Sequence, residues 1–161
     1  MARLAIGIIV GTILSLFSVS IVSGWAPLSS AAKLFNSNII LALTTLLSAN
    51  FGFDFISIIT SLDAKNVWAV SNIIAAWLIT GYVAGSIAKG ASRGLICGLL
   101  VAVIALLLWI LLGVFANIDI MSLFQGSNLM STIGGIVGAI VCGLIGGLLG
   151  GAVSGPYEEF L

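Results

Sequence analysis

The chain has 161 residues, of which 61% are apolar and 6% charged, and its mean hydropathy is +1.33. Uncharged runs of that extent exceed what a soluble domain of this size can hide in a core, so an integral membrane protein is expected. Five basic residues balance five acidic ones with no cluster of either sign, which leaves no electrostatic footprint for nucleic acid.

In chain order, Arg3 precedes an apolar stretch from Leu4 to Val22, followed by the small residues Ser23 and Gly24. That pattern has features of a cleaved signal, but its length is what a spanning helix requires, so a retained first span over 4–23 is predicted. The next region, Lys33 to Leu62, contains a short apolar run from Ile39 to Ala49, interrupted on either side by Asn36, Ser37, Asn38, Asn50 and Asp54. Such a run is too short to cross about 30 Å of hydrocarbon, and an interfacial or re-entrant segment is predicted within an extracytoplasmic 24–66. Three further spans follow at 67–88, 93–116 and 130–153. The predicted fold is therefore an all-α membrane domain of four transmembrane helices arranged as two hairpins, plus the apolar segment at 33–62.

If that segment does not cross, Arg3, Lys89 and Arg93 share one side with the C-terminus, while Lys33, Lys65, Asp54, Asp63 and Asp119 share the other. The positive-inside rule then makes both termini cytoplasmic in a cell membrane, and Trp25 and Trp68 fall at the same outer interface; if the segment does cross, Arg3 and Lys65 oppose Lys33, Lys89 and Arg93, a bias of similar size that points the N-terminus the other way. A weak internal repeat agrees with this arrangement. Ala49-Asn50-Phe51-Gly52-Phe53-Asp54-Phe55-Ile56-Ser57-Ile58 resembles Ala116-Asn117-Ile118-Asp119-Ile120-Met121-Ser122-Leu123, and each copy lies shortly before a span.

Glycine is the dominant motif. Gly134, Gly138, Gly146 and Gly150 fall at four-residue spacing, with Cys142 filling the gap, and Gly135, Gly143, Gly147 and Gly151 make an adjacent stripe. Similar spacing occurs at Gly7, Gly11 and Ser15, at Gly81 and Gly85, and at Gly94, Gly98 and Ala102. In lipid, helix association depends on close van der Waals contact, which such small-residue stripes permit. These glycines are the predicted helix-packing interface. The last span, with two smooth stripes, is expected to touch its neighbours in the chain and another subunit.

Little in the sequence carries chemistry. The absence of histidine removes the commonest general base and metal ligand. Cys97 and Cys142 lie inside apolar spans without a ligand motif, so they are expected to act as packing residues, and no metal or other cofactor is expected. No phosphate loop or nucleophile elbow is present, so an enzyme is not expected. Asn50 and Asp54 form the candidate polar site, because an ionisable residue within the membrane boundary is a functional candidate. Asn50, Asp54, Ser57 and Ser61 would share one stripe of an interfacial helix with its polar side in water; alternatively, Gly52 breaks the helix and Phe51, Phe53 and Phe55 alternate in an extended loop. Asp119 and Asp63 read as loop or capping residues near the candidate N-caps Asn128 and Asn66, and Glu158 and Glu159 belong to a tail separated by Pro156.

The run Gly81-Tyr82-Val83-Ala84-Gly85-Ser86-Ile87-Ala88-Lys89-Gly90, with Arg93-Gly94 and Gly98 after it, resembles the centre of small glycine-rich four-helix archaeal membrane proteins of unknown function. The likeness covers roughly residues 77–100 and implies a four-helix fold with no catalytic residues to transfer. The glycine-zipper spacing is also similar to that of mitochondrial inner-membrane translocase subunits. The resulting expectation is a non-catalytic structural or accessory subunit, partnered by the lipid bilayer and by other membrane subunits or copies of itself. The alternative is a small homo-oligomeric channel or transporter, with Asp54 or Asn50 at its mouth.

Overall fold

The computed structural model describes residues 2–61, 64–126 and 128–156, without the side chains of 57 and 61–70. The expectations placed on Asp63, Glu158 and Glu159, and on the side chains of Ser57, Ser61, Lys65, Asn66 and Trp68, fall outside the described residues.

Among the described residues, four helices are long and apolar enough to span a membrane. They are α1 (Ala2–Val22), α5 (Ala64–Ala88), α6 (Ala91–Phe115) and α8 (Asn128–Val153). The shorter helices α2 (Ala26–Phe35), α3 (Ile39–Ser48) and α4 (Phe55–Ser61) lie between α1 and α5, and α7 (Ile120–Leu123) lies between α6 and α8. Among the described residues the fold is all-helical.

Between 33% and 44% of each spanning window is buried, and the remainder is half-buried or exposed. The exposed surface carries bulky apolar side chains such as Ile6, Ile9, Ile13, Leu107, Leu111 and Leu149, as helices surrounded by lipid require. Helix α8 packs most extensively against α5 and α6, and α1 completes the bundle against the other side of α5 and α6. Both described chain ends lie at one end of the bundle. There Lys89 and Gly90 take positive φ, and the Gly90 N–H donates to the Gly151 and Gly155 carbonyls at 3.0 Å each. We refer to this as the terminal end and to the opposite one as the cap end.

The glycine stripes lie where helix backbones meet. A methyl group on Gly81 would stand 2.9 Å from the Gly147 nitrogen, and one on Gly85 would stand 2.9 Å from the Gly147 Cα. Gly94 and Gly98 present the same problem from α6, meeting the Gly147 and Gly143 carbonyls. The close approach of α5, α6 and α8 therefore converges on Gly143 and Gly147; a methyl on Gly147 would run into the Gly94 carbonyl, and one on Gly143 would stand a tight 3.1 Å from the Gly98 carbonyl oxygen. On α1, a methyl at Gly7 would lie 2.7 Å from the Ala84 carbonyl oxygen, and one at Gly11 would lie 2.8 Å from the Ala84 Cβ.

Candidate functional site: a buried turn at the cap end

The region between α1 and α5 does not lie flat along the interface. Helix α3 begins with an Asn38 cap, whose side chain accepts from the Ile40 and Leu41 N–H groups at 3.1 Å each. It ends at Ser48, and residues 49–54 form a turn before α4. This turn inserts among the spanning helices, because its neighbours lie well inside their ends. Trp109 is six residues before the end of α6, about 9 Å in at 1.5 Å per residue, and Gly138 is about 15 Å along α8 from Asn128. The segment therefore has re-entrant geometry: one short helix in, a buried turn, and a second short helix out.

Asn50 holds the turn and is 1% exposed. Its side-chain Nδ2 donates to the Leu46 carbonyl at 3.3 Å, satisfying an acceptor at the end of α3. Its Oδ1 faces the Ser18 hydroxyl of α1 at 3.5 Å, and its backbone carbonyl accepts from Trp77 Nε1 of α5 at 2.9 Å. One residue thus ties the turn to two spanning helices. Phe51 then stacks on Trp109 with centroids 5.1 Å apart and contacts Trp77 at 5.8 Å. Phe51 and Phe53 are both buried while Gly52 between them is exposed, and the Phe53 N–H closes a tight turn on the Phe51 carbonyl at 3.0 Å.

A helical polar stripe through Asn50 and Asp54 does not form. Both residues precede α4, and Asn50 points into the protein instead of towards water. The physical reason is local: the Asn50 amide bonds back onto α3, and the Asn50 and Phe51 N–H groups close tight turns on the Leu47 and Ser48 carbonyls at 3.0 and 3.1 Å. Asp54 is half-buried against α8, where a methyl on Gly134 would stand 2.8 Å from its Oδ1.

The predicted packing glycines are all in contact with this chain's own atoms. Gly134 and Gly138 make room for Asp54 and the Phe53 ring; Gly146 and Gly150 face Leu78 and Tyr82 of α5. Gly7, Gly11, Gly81, Gly85, Gly94 and Gly98 meet neighbouring spans as described above. Both stripes of α8 are therefore covered within the chain, and an intersubunit contact would have to use a different face.

The repeated Ala-Asn...Asp pattern has a structural meaning. Ala49 and Ala116 are the C-caps of α3 and α6, and Asp54 and Asp119 each stand immediately before the next helix. Asp119 accepts from the Ser122 N–H at 3.4 Å, as an N-cap does. The copies differ in depth: Asn117 is exposed with a φ of 55°, whereas Asn50 is buried.

Below the turn, towards the terminal end, further hydroxyls are enclosed. The Ser15 hydroxyl donates to the Thr12 carbonyl at 2.7 Å, and Ser18 lies 3.4 Å from the Ser15 carbonyl. The hydroxyls of Thr12 and fully buried Thr80 have no hydrogen-bond partner. Ser18, Trp77 and Trp109 were not singled out from sequence. The detectable signal was the continuation of Gly7, Gly11 and Ser15 by Ser18, which extends the α1 small-residue face to the buried turn.

Two open pockets flank the turn and share Ser48. One, of about 480 Å³, lies between α1, α2, α3 and α5, and its lining includes Ser23, Ser30, Thr45 and Asn72. The other, of about 300 Å³, is lined by Phe51, Trp109, Asn128 and Thr132 among others. Among the described residues, no three of His, Cys, Asp and Glu cluster to hold a metal. Comparison with known protein families, curated proteins and solved structures found no match to this chain.

Proposed function

We propose that the protein is a small non-catalytic channel or transporter of the cell membrane, with the buried turn at 49–54 as its constriction. The observation that carries this reading is irregular backbone inserted among four spanning helices, with a pocket bearing four hydroxyls above it and enclosed hydroxyls below. Non-helical backbone at membrane depth is tolerated only inside protein or beside water, and interrupted helices commonly form substrate and ion sites. In this reading Ser18 and Asn50 plug the path, while Ser15, Thr12 and Thr80 continue it inward. The apolar contacts of Gly7 and Gly11 with Ala84, Cys97 and Val101 close the terminal side. In this reading the positive-inside rule, applied to Arg3, Lys89 and Arg93, favours a cytoplasmic terminal end and an outer cap.

The test is light scattering from osmotically shocked proteoliposomes across a panel of small ions and neutral solutes. Solute entry faster than in protein-free vesicles, reduced by Asp54→Asn or Ser18→Val, is the expected result. Protein-containing vesicles indistinguishable from empty ones for every solute would refute it.

A second reading is an accessory subunit of a larger membrane assembly, and a different surface favours it. Helix α1 presents Ile6, Ile9, Ile13, Phe17 and Ile21 outward, beside an apolar groove of about 520 Å³ completed by Trp25 and Leu28. Native mass spectrometry of protein extracted from its own membranes in mild detergent separates the two. Stoichiometric foreign subunits favour the accessory role, and a pure complex of 16.5 kDa chains favours a self-contained path. The likeness of residues 77–100 to small glycine-rich archaeal four-helix proteins is proposed as a likeness of fold alone.

A further inference from the structure

The pocket of about 480 Å³ at the cap end has a hydrogen-bonding character that selects its occupant. Each of its four hydroxyls donates to a backbone carbonyl three or four residues earlier in the chain. Ser23 donates to Val19 at 2.6 Å, Ser30 to Ala26 at 3.2 Å, Thr45 to Leu41 at 2.8 Å and Ser48 to Thr45 at 2.8 Å. A hydroxyl has one donor and two acceptor sites, so these oxygens offer acceptors to whatever fills the pocket. Asn72 adds an amide that can donate or accept, and Val19, Pro27 and Ile73 supply apolar wall.

That lining favours a ligand rich in hydrogen-bond donors. It disfavours an anion, which would face acceptor oxygens. Among the described lining residues there is no carboxylate to hold a cation, and Lys33 stands one turn beyond Ser30 on α2. The volume lies within the range of small-molecule sites.

We propose that this pocket binds a small neutral polyhydroxylated group, held by its own O–H donors to Ser23, Ser30, Thr45 and Ser48. The same chemistry is offered by a free polyol or monosaccharide and by the glycosyl headgroup of a lipid. The pocket's role as the entrance for a permeant rests on the transport reading above; its occupancy does not, so binding and flux are measured separately.

The experiment is isothermal titration of the full chain in nanodiscs of phospholipid lacking sugar headgroups, with glycerol, sorbitol, glucose, potassium, methylammonium and acetate as probes. The comparison protein is the Thr45→Val/Ser48→Ala double variant, with Thr45→Ser as the conservative control and thermal unfolding confirming that each is folded. Saturable binding of a polyol or glucose, weakened about tenfold in the double variant and retained in Thr45→Ser, supports the site. Absence of polyol and sugar binding, unchanged affinity in the folded double variant, or tighter binding of either cation or of acetate overturns it. If the double variant does not fold, Ser30→Ala and Asn72→Ala take its place under the same criteria. Adding a glycosyl lipid to the nanodiscs separates the sources: suppression of free-sugar binding assigns the headgroup, and unaltered binding assigns the soluble ligand. Binding without solute entry in proteoliposomes refutes the transport reading while leaving the site intact.

Discussion

Replacing Gly147 with alanine is expected to loosen the bundle at the point where α5, α6 and α8 converge. The new methyl would meet the Gly94 carbonyl and stand 3.1 Å from the Gly98 Cα. Comfortable carbon contacts begin at about 3.5 Å, so α6 must withdraw by roughly half an ångström or more, and a gap of that size forfeits about a quarter of the affected dispersion attraction. Overpacking costs about 1–3 kcal/mol when side chains can adjust. Here the obstructing atoms are backbone, which puts the cost near about 3 kcal/mol, while alanine over glycine in a helix returns about 1 kcal/mol. The net expectation is a destabilisation of about 2 kcal/mol. Gly52→Ala is the control, because the nearest atom to its added methyl is the Ser48 carbonyl oxygen at an ordinary 3.6 Å. The measurement is reversible unfolding in mixed micelles as the denaturing detergent fraction rises, followed by tryptophan fluorescence and far-UV circular dichroism. Gly94→Ala combined with Gly147→Ala should cost less than the two single changes together, since both relieve their clash by the same separation. Wild-type stability in Gly147→Ala would show that the helices do not approach as closely as described.

Other consequences are open to simpler tests. Trp77→Phe removes the donor to the buried Asn50 carbonyl and should cost about 1–3 kcal/mol in the same unfolding assay; an unchanged midpoint would mean that the bond does not hold the turn. Thr80→Val removes a buried hydroxyl with no partner, so stability should hold or rise, while solute entry falls if the hydroxyl lies on the proposed path. A marked loss of stability in that variant would instead show that the hydroxyl is satisfied by a bound group. Gly135→Ala sets a methyl against the Phe51 carbonyl and should raise hydrogen exchange at 49–54 above wild type; equal protection would argue against the turn's seating on α8.

Much of the architecture can be read directly from residues. Uncharged runs marked the four spans, and the brevity of the Ile39–Ala49 run marked a segment too short to cross. The glycine stripes likewise marked where backbones meet, since four-residue spacing keeps a small-residue face continuous along a helix. Which helix each stripe meets was not legible, because Gly143 and Gly147 contact α5 and α6 together and periodicity carries no information about partners. The candidate polar site was legible in part. Asn50 stood out as a polar residue beside an apolar run, yet its orientation depends on Ser18 and Trp77, each 27 or more positions away in sequence. A helical wheel placed Asn50 and Asp54 on one stripe, but the competing bond from the Asn50 amide to the Leu46 carbonyl ends α3 and removes the wheel's premise.

The buried turn also constrains how the protein is made. Each spanning helix satisfies its own backbone and can enter lipid alone, whereas residues 49–54 carry peptide groups that have no continuous ladder and depend on partners such as Trp77. Those partners are supplied by α5, α6 and α8, which are synthesised after the turn. The segment must therefore wait at the membrane surface while later helices insert and gather, and the first part of this region to be translated is the last to reach its place.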